Sequence, residues 1–87
     1  MISQRVRVIN PSGLHLRPAG ELCREAMKYR SRIFLSFQDT QANMKSVLSV
    51  LGACVKCNDE ILITCEGEDE NEALSAIVKA IQEGLGE

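Results

Sequence analysis

The chain has 87 residues, enough for a single domain (residues 1–87) with one modest core and no cleft between domains. Aromatic residues make up 3% of it and Trp is absent, which leaves no stacking platform for nucleic-acid bases. The net charge of -2 hides a split: Met1–Cys57 holds nine Lys or Arg against three Asp or Glu, whereas Asn58–Glu87 holds one against nine, so the first part suits anionic partners or phosphate.

The opening residues Met1 to Arg5 lack the charged head and apolar stretch of a signal peptide, and no apolar run reaches the roughly 20 residues of a membrane span. A cytoplasmic protein without membrane insertion is expected, with Cys23, Cys54, Cys57 and Cys65 as reduced thiols. Val6 and Val8 alternate with Arg5 and Arg7, which predicts a first strand from about Ile2 to Ile9. Asn10 to Gly13 is a turn cluster. Leu16, Ala19, Leu22, Cys23, Ala26 and Met27 then recur at helical spacing, with charged residues on the other face, predicting a helix over about Leu16 to Lys28.

Ile33 to Phe37 reads as a second strand, with a weaker partner over about Gln41 to Met44. A short helix follows from Ser46 to Leu51, and the Ser46 hydroxyl can cap it. Ile61 to Cys65 is a further strand. Asp69 and Glu72 have capping-box spacing for a last helix, whose buried stripe is Ala73, Leu74, Ile77, Val78 and Ile81 and which Gly84 ends. The order β-α-β-β-α-β-α, with one apolar face per helix, predicts helices stacked on one face of a sheet.

His15 is the only histidine, and it stands where the turn becomes the first helix. A helix N-terminus carries unpaired N–H groups and a partial positive charge, which together favour an anion. An imidazole there can act as a nucleophile whose phosphoryl group is held by the amides of Leu16 and Arg17, with the Arg17 guanidinium adding charge-assisted hydrogen bonds. Pro18 fits the first helical turn, because its missing N–H had no partner there. The plain alternative is an exposed histidine at a helix start, and spacing alone does not choose between the two. Cys54 and Cys57 have the spacing of a metal or redox pair, but small thiols scattered through helix and strand are commonly just packing residues. No metal ligand set and no cofactor is expected.

Gly13 to Ala19 (Gly-Leu-His-Leu-Arg-Pro-Ala) resembles the active-site signature of the HPr phosphocarriers. Lys45 to Leu48 resembles the family's second signature around a regulatory serine, and Gly67 to Leu74 the segment that opens its last helix. The resemblance extends over essentially the whole chain. It implies an α+β open-faced β-sandwich, a four-stranded antiparallel sheet with three helices on one face. It implies that enzyme I, charged from phosphoenolpyruvate, phosphorylates His15 at Nδ1, and that His15 passes the group to sugar-specific enzyme IIA domains. Arg17 is then the charge partner, Ser46 a regulatory phosphorylation site, and Leu16, Gly20, Val47, Leu48 and Leu51 an apolar docking patch. A kinase/phosphorylase acting on Ser46 and a catabolite-control repressor are further partners of such a protein, which is expected to be a monomer and a carrier rather than an enzyme. A purely regulatory HPr-like module acting through Ser46 is the competing reading. The chain departs from the family pattern at Leu16, where a small residue or threonine is usual. It departs again at Ser49 and Cys54, where glycine is often found, and at Cys57, in what is usually a Gly-containing turn.

Overall fold

The computed structural model describes all of residues 1–87. Seven elements follow in the expected order: β1 (Ile2–Arg7), α1 (Leu16–Ala26), β2 (Arg32–Phe37), β3 (Thr40–Asn43), α2 (Val47–Gly52), β4 (Glu60–Glu66) and α3 (Glu70–Gln82). The strands form one antiparallel sheet in the order β1-β4-β2-β3. Alternation in β4 sends Ile61, Ile63 and Cys65 inward, where they meet Val6 of β1 and Ile33 and Leu35 of β2 in one core. The helices supply the opposite layer. Ala19, Leu22 and Ala26 of α1 are buried, and α3 buries all five residues of its expected stripe. Truncating one of the fully buried residues, such as Leu22 or Ile63, to Ala should cost about 2–5 kcal/mol.

The strand β1 stops at Arg7, two residues before the expected end. Val8 is still paired, but with a loop: its N–H donates to the Asp59 carbonyl at 2.9 Å and its carbonyl accepts from the Asn58 N–H at 2.6 Å. Helix α1 ends at Ala26 rather than Lys28, and the Met27 N–H closes its last turn on the Cys23 carbonyl at 2.9 Å.

The capping box expected at Asp69 and Glu72 does not form. Asp69 makes no side-chain bond to its own helix. Its carboxylate instead accepts from the backbone N–H groups of Arg30 and Ser31, both at 2.9 Å, and from the buried Ser31 hydroxyl. The Ser31 hydroxyl is the chief cause, and the Arg30 amide the next, that hold the Asp69 carboxyl at about 2. Glu70, not Glu72, reaches back, accepting from the Gly67 N–H at 3.1 Å. Gly67 sits at φ +154 and touches the same turn so closely that a Cβ would lie 2.7 Å from the Ser31 Cα.

The split charge of the sequence is folded against itself. Arg5 and Arg7 of β1 face Glu60 of β4, and Arg32 of β2 faces Glu66 of β4. These pairs are exposed and each contributes little, about 0–1 kcal/mol.

Candidate functional site at the start of the first helix

His15 is the N-cap of α1. Its backbone is extended (φ -74, ψ -173) and its carbonyl accepts the first helical bond, from the Ala19 N–H at 2.8 Å. Its side chain makes no capping bond, and the imidazole is exposed. The N–H groups of Leu16 and Arg17 have no acceptor within the chain, and Pro18 has no N–H to satisfy. No acidic residue lies in this first turn. The Arg17 guanidinium is exposed and belongs to no ion pair, although its positive charge reaches the Glu87 carboxylate. An exposed imidazole, two free amides and an unpaired guanidinium thus share a single helical turn.

The loop leading to His15 is tightly set. Gly13 adopts φ +63, and a Cβ there would stand 2.6 Å from the Val55 carbonyl oxygen, so the position accepts only glycine without rearrangement. Leu14 is buried and donates its N–H to that same carbonyl at 3.0 Å. The bond brings the segment after α2 alongside His15. A cavity of about 220 Å³ results, lined among others by Ser12, His15, Leu51, Cys54 and Lys56. A larger depression of about 390 Å³ lies between β1 and α3 and contains no histidine or thiol.

The apolar residues expected near the site divide in two. Leu16 is 65% exposed and Leu48 81%, whereas Val47 and Leu51 are half-buried and rest on the core. Gly20 is half-buried on α1 and meets nothing where a Cβ would stand. Helix α2 packs against α1, which puts these residues on neighbouring helices.

Ser46 caps α2 as its sequence position suggests, accepting from the Ser49 N–H at 3.2 Å. It lies at the end of α2 opposite Leu51 and Cys54, so it does not line the cavity at His15. The Ser49 hydroxyl in turn accepts from the Asn43 N–H at 2.9 Å.

The four thiols have separate surroundings. Cys65 is buried, and burial first, then the negative charges of Glu70 and Asp69, push its thiol up to about 11. Cys23 is half-buried on α1. Cys57 turns toward the Ile9 carbonyl at 3.6 Å, while Cys54 is exposed at the mouth of the cavity. Cys54 has φ +57, in the left-handed region that favours glycine. No group of three or more His, Cys, Asp or Glu is placed to share a metal ion.

The sequence reading did not single out Asn10, Ser12 or Glu87, which the fold joins beside His15. Asn10 and Ser12 lay in a turn cluster with no sign of a role beyond the turn. Glu87 lies at the far end of the sequence, and no local pattern could have paired it with them.

The family model described as "PTS HPr component phosphorylation site" matches residues 2–83. The phosphocarrier protein HPr of Lysinibacillus sphaericus is 36% identical over 95% of this chain and 94% of its own length. The HPr-like protein Crh of Bacillus subtilis is 34% identical over 95% of this chain and 98% of its own. The crystal structure of HPr-C-His from Thermoanaerobacter tengcongensis superposes with a TM-score of 0.96 at 31% identity, covering 100% of this chain and 98% of that one.

Proposed function

This chain belongs to the HPr family, the phosphocarriers of the sugar phosphotransferase system, and on that premise we propose that His15 is the residue on which it carries a phosphoryl group. The donor is phosphorylated enzyme I and the acceptors are enzyme IIA domains. The lone pair of the imidazole Nδ1 attacks the phosphorus held by the donor. A nitrogen–phosphorus bond forms as the donor's bond to phosphorus breaks, and the donor keeps that electron pair. Onward transfer repeats the exchange with the acceptor's nucleophile.

The observation that carries this reading is the open helix start. A phosphoryl group on His15 has the free N–H groups of Leu16 and Arg17 as donors and the Arg17 guanidinium as counter-charge. The protein needs no metal or cofactor in this role and acts as a carrier, not an enzyme. Leu16 and Leu48, with Val47 and Leu51 beside them, form the apolar ground for docking. Gly20 fits that role: a glycine inside a helix costs about 1 kcal/mol relative to alanine, and here no neighbour requires it, so it offers a flat place for a partner.

The test is incubation with phosphoenolpyruvate and enzyme I, followed by exposure of the labelled protein to mild acid. Label that is lost in acid is a phosphoramidate on histidine. Label that survives acid, or no label at all, refutes the assignment.

A second reading draws on the similarity to Crh and on the capping role of Ser46. In it Ser46 is phosphorylated by a kinase/phosphorylase and the modified surface is read by acceptors and a catabolite-control repressor. Two added negative charges at the start of α2 suit the positive end of that helix, so the fold is kept. The effect falls on docking at the adjoining Val47 and Leu48, where an acidic donor surface is repelled. Histidine labelling without any transfer to IIA domains would favour this regulatory role over sugar transport.

A further inference from the structure

The turn from Asn10 to Leu14 that presents His15 is held from outside its own segment at two places. One is the Leu14 bond to the Val55 carbonyl. The other is the side chain of Glu87. Its Oε1 accepts from Asn10 Nδ2 at 3.0 Å and from the Ser12 backbone N–H at 3.1 Å, and its Oε2 accepts from the Ser12 hydroxyl at 2.6 Å. Three donors on two residues of the loop therefore converge on one carboxylate.

Two further features show that this convergence is built into the fold. Asn10 is 2% exposed, and its Oδ1 has no partner. A buried acceptor left unmade is costly, so what Asn10 provides must lie in its amide nitrogen, which ties the Gly13 carbonyl at 2.7 Å to Glu87. The segment after α3 is also folded to deliver the carboxylate. Leu85 is buried at φ +53, its N–H bonded to the Ala80 carbonyl at 3.2 Å, and the Glu87 N–H bonds to the Gly84 carbonyl at 3.0 Å.

We propose that Glu87 is a positioning residue for phosphoryl transfer: its carboxylate clamps Ser12 and Asn10 and so fixes the turn that aims the His15 imidazole. The proposal rests on the reading of His15 as the phosphoryl acceptor. Glu87 does not touch the ring. It acts through Ser12 on one side and through Asn10 and the Gly13 carbonyl on the other. Reacting groups lose rate steeply when they are misplaced by about an ångström, whereas the docking surface of α1 and α2 is untouched by a looser loop.

Three variants test this with the full chain and phosphorylated enzyme I. In E87A all three bonds are lost, and the maximal rate of phosphoryl acceptance should fall about tenfold with KM for the donor unchanged. In E87Q the amide oxygen still accepts from Asn10 and the Ser12 N–H, and its nitrogen can donate to the Ser12 hydroxyl, so most of the rate should return. S12A loses only the hydroxyl bond and should fall between the wild type and E87A, and the double variant should be no worse than E87A alone. Amide exchange at Ser12 and Leu14, with the His15 ring resonances, reports the same loosening without any phosphorylation: both should change in E87A and be restored in E87Q. A wild-type rate in E87A, an equal loss in E87A and E87Q, or a change confined to KM overturns the proposal. Failure of the wild-type chain to accept phosphate at all overturns the reading of His15 instead, and the exchange and ring measurements then still decide whether Glu87 positions the loop.

Discussion

The first and last helices begin in opposite ways. At the start of α3 the sequence places Glu70 and Glu72 in the first turn, and Glu70 folds back onto the Gly67 N–H. At the start of α1 there is no acidic residue and no side-chain cap, and the amides of Leu16 and Arg17 have no acceptor within the chain. Both ends carry the same partial positive charge. One has the protein's own carboxylates beside it, and the other has none. The short helix α2 is intermediate, closed by the neutral Ser46 hydroxyl. On the proposed function, a binding site for phosphate is a helix start left incomplete, and the finished starts elsewhere in the chain show that the openness is a property of the segment and not of the fold.

The sharpest break in this contrast is removal of the group that the open end serves. His15→Ala should abolish phosphoenolpyruvate-dependent labelling, while thermal unfolding shifts by no more than about 0.5 kcal/mol in stability, because the ring is exposed and makes no bond to the helix. A large loss of stability would mean that the ring finishes its helix after all. Next in size is Arg17. Charge-assisted hydrogen bonds are worth about 1.5–3 kcal/mol, so Arg17→Glu should slow acceptance by about 10- to 100-fold. Arg24→Glu is the control: Arg24 is already paired with Glu21 at 2.9 Å further along α1, and it should change the rate by less than about twofold at moderate salt.

A smaller effect is expected at the intermediate start. Ser46→Ala should cost about 1 kcal/mol of stability through loss of the cap. Ser46→Asp restores an acceptor, so it should keep the fold, yet slow acceptance several-fold at low salt with partial recovery as salt rises. Transfer rates that ignore both the substitution and the salt would leave Ser46 as a cap only. The last measurement concerns the closed start. The Asp69 carboxyl is held at about 2 from an ordinary 3.8, so its contribution to stability is complete above about pH 4 and is lost as pH falls through about 2. Asp69→Asn should flatten the acid limb of the stability profile in that interval and leave phosphoryl acceptance near neutral pH unchanged.

Much of this could be read from the chain because periodicity is local. The alternation in Ile61–Cys65 and the helical spacing from Ala73 to Ile81 each name their buried residues, and the sheet and helices bury those residues. The position of His15 at a turn-to-helix boundary was equally plain, as was the cap at Ser46. What escaped depends on partners distant in sequence. Asp69 has the spacing of a cap, but the Ser31 turn claims its oxygens from across the structure. The first strand loses its regular pairing at Val8 because the loop at Asn58 and Asp59 takes over as its partner. The left-handed backbone at Cys54 is not marked by the residue itself, which is one that ordinarily avoids it. Glu87 needed both the course of the last helix and the closing of the loop at Asn10 before its role could be seen.

The sheet order β1-β4-β2-β3 has a bearing on how the chain is made. β4 is the last strand to leave the ribosome, yet it lies between β1 and β2 and hydrogen-bonds to both. Until Glu66 has emerged, β1 has no strand to pair with, and only the β2–β3 hairpin can form a piece of the sheet. The nascent chain therefore holds a basic, largely unpaired segment until an acidic strand can slot between two basic ones, and its core is complete only with α3, which follows that strand. Contacts of such long sequence separation make closure slow relative to a helical bundle of similar size. The His15 end of α1 acquires its fixed shape last, because the Val55 anchor, the Glu87 side chain and the core beneath α1 all depend on residues synthesised after it.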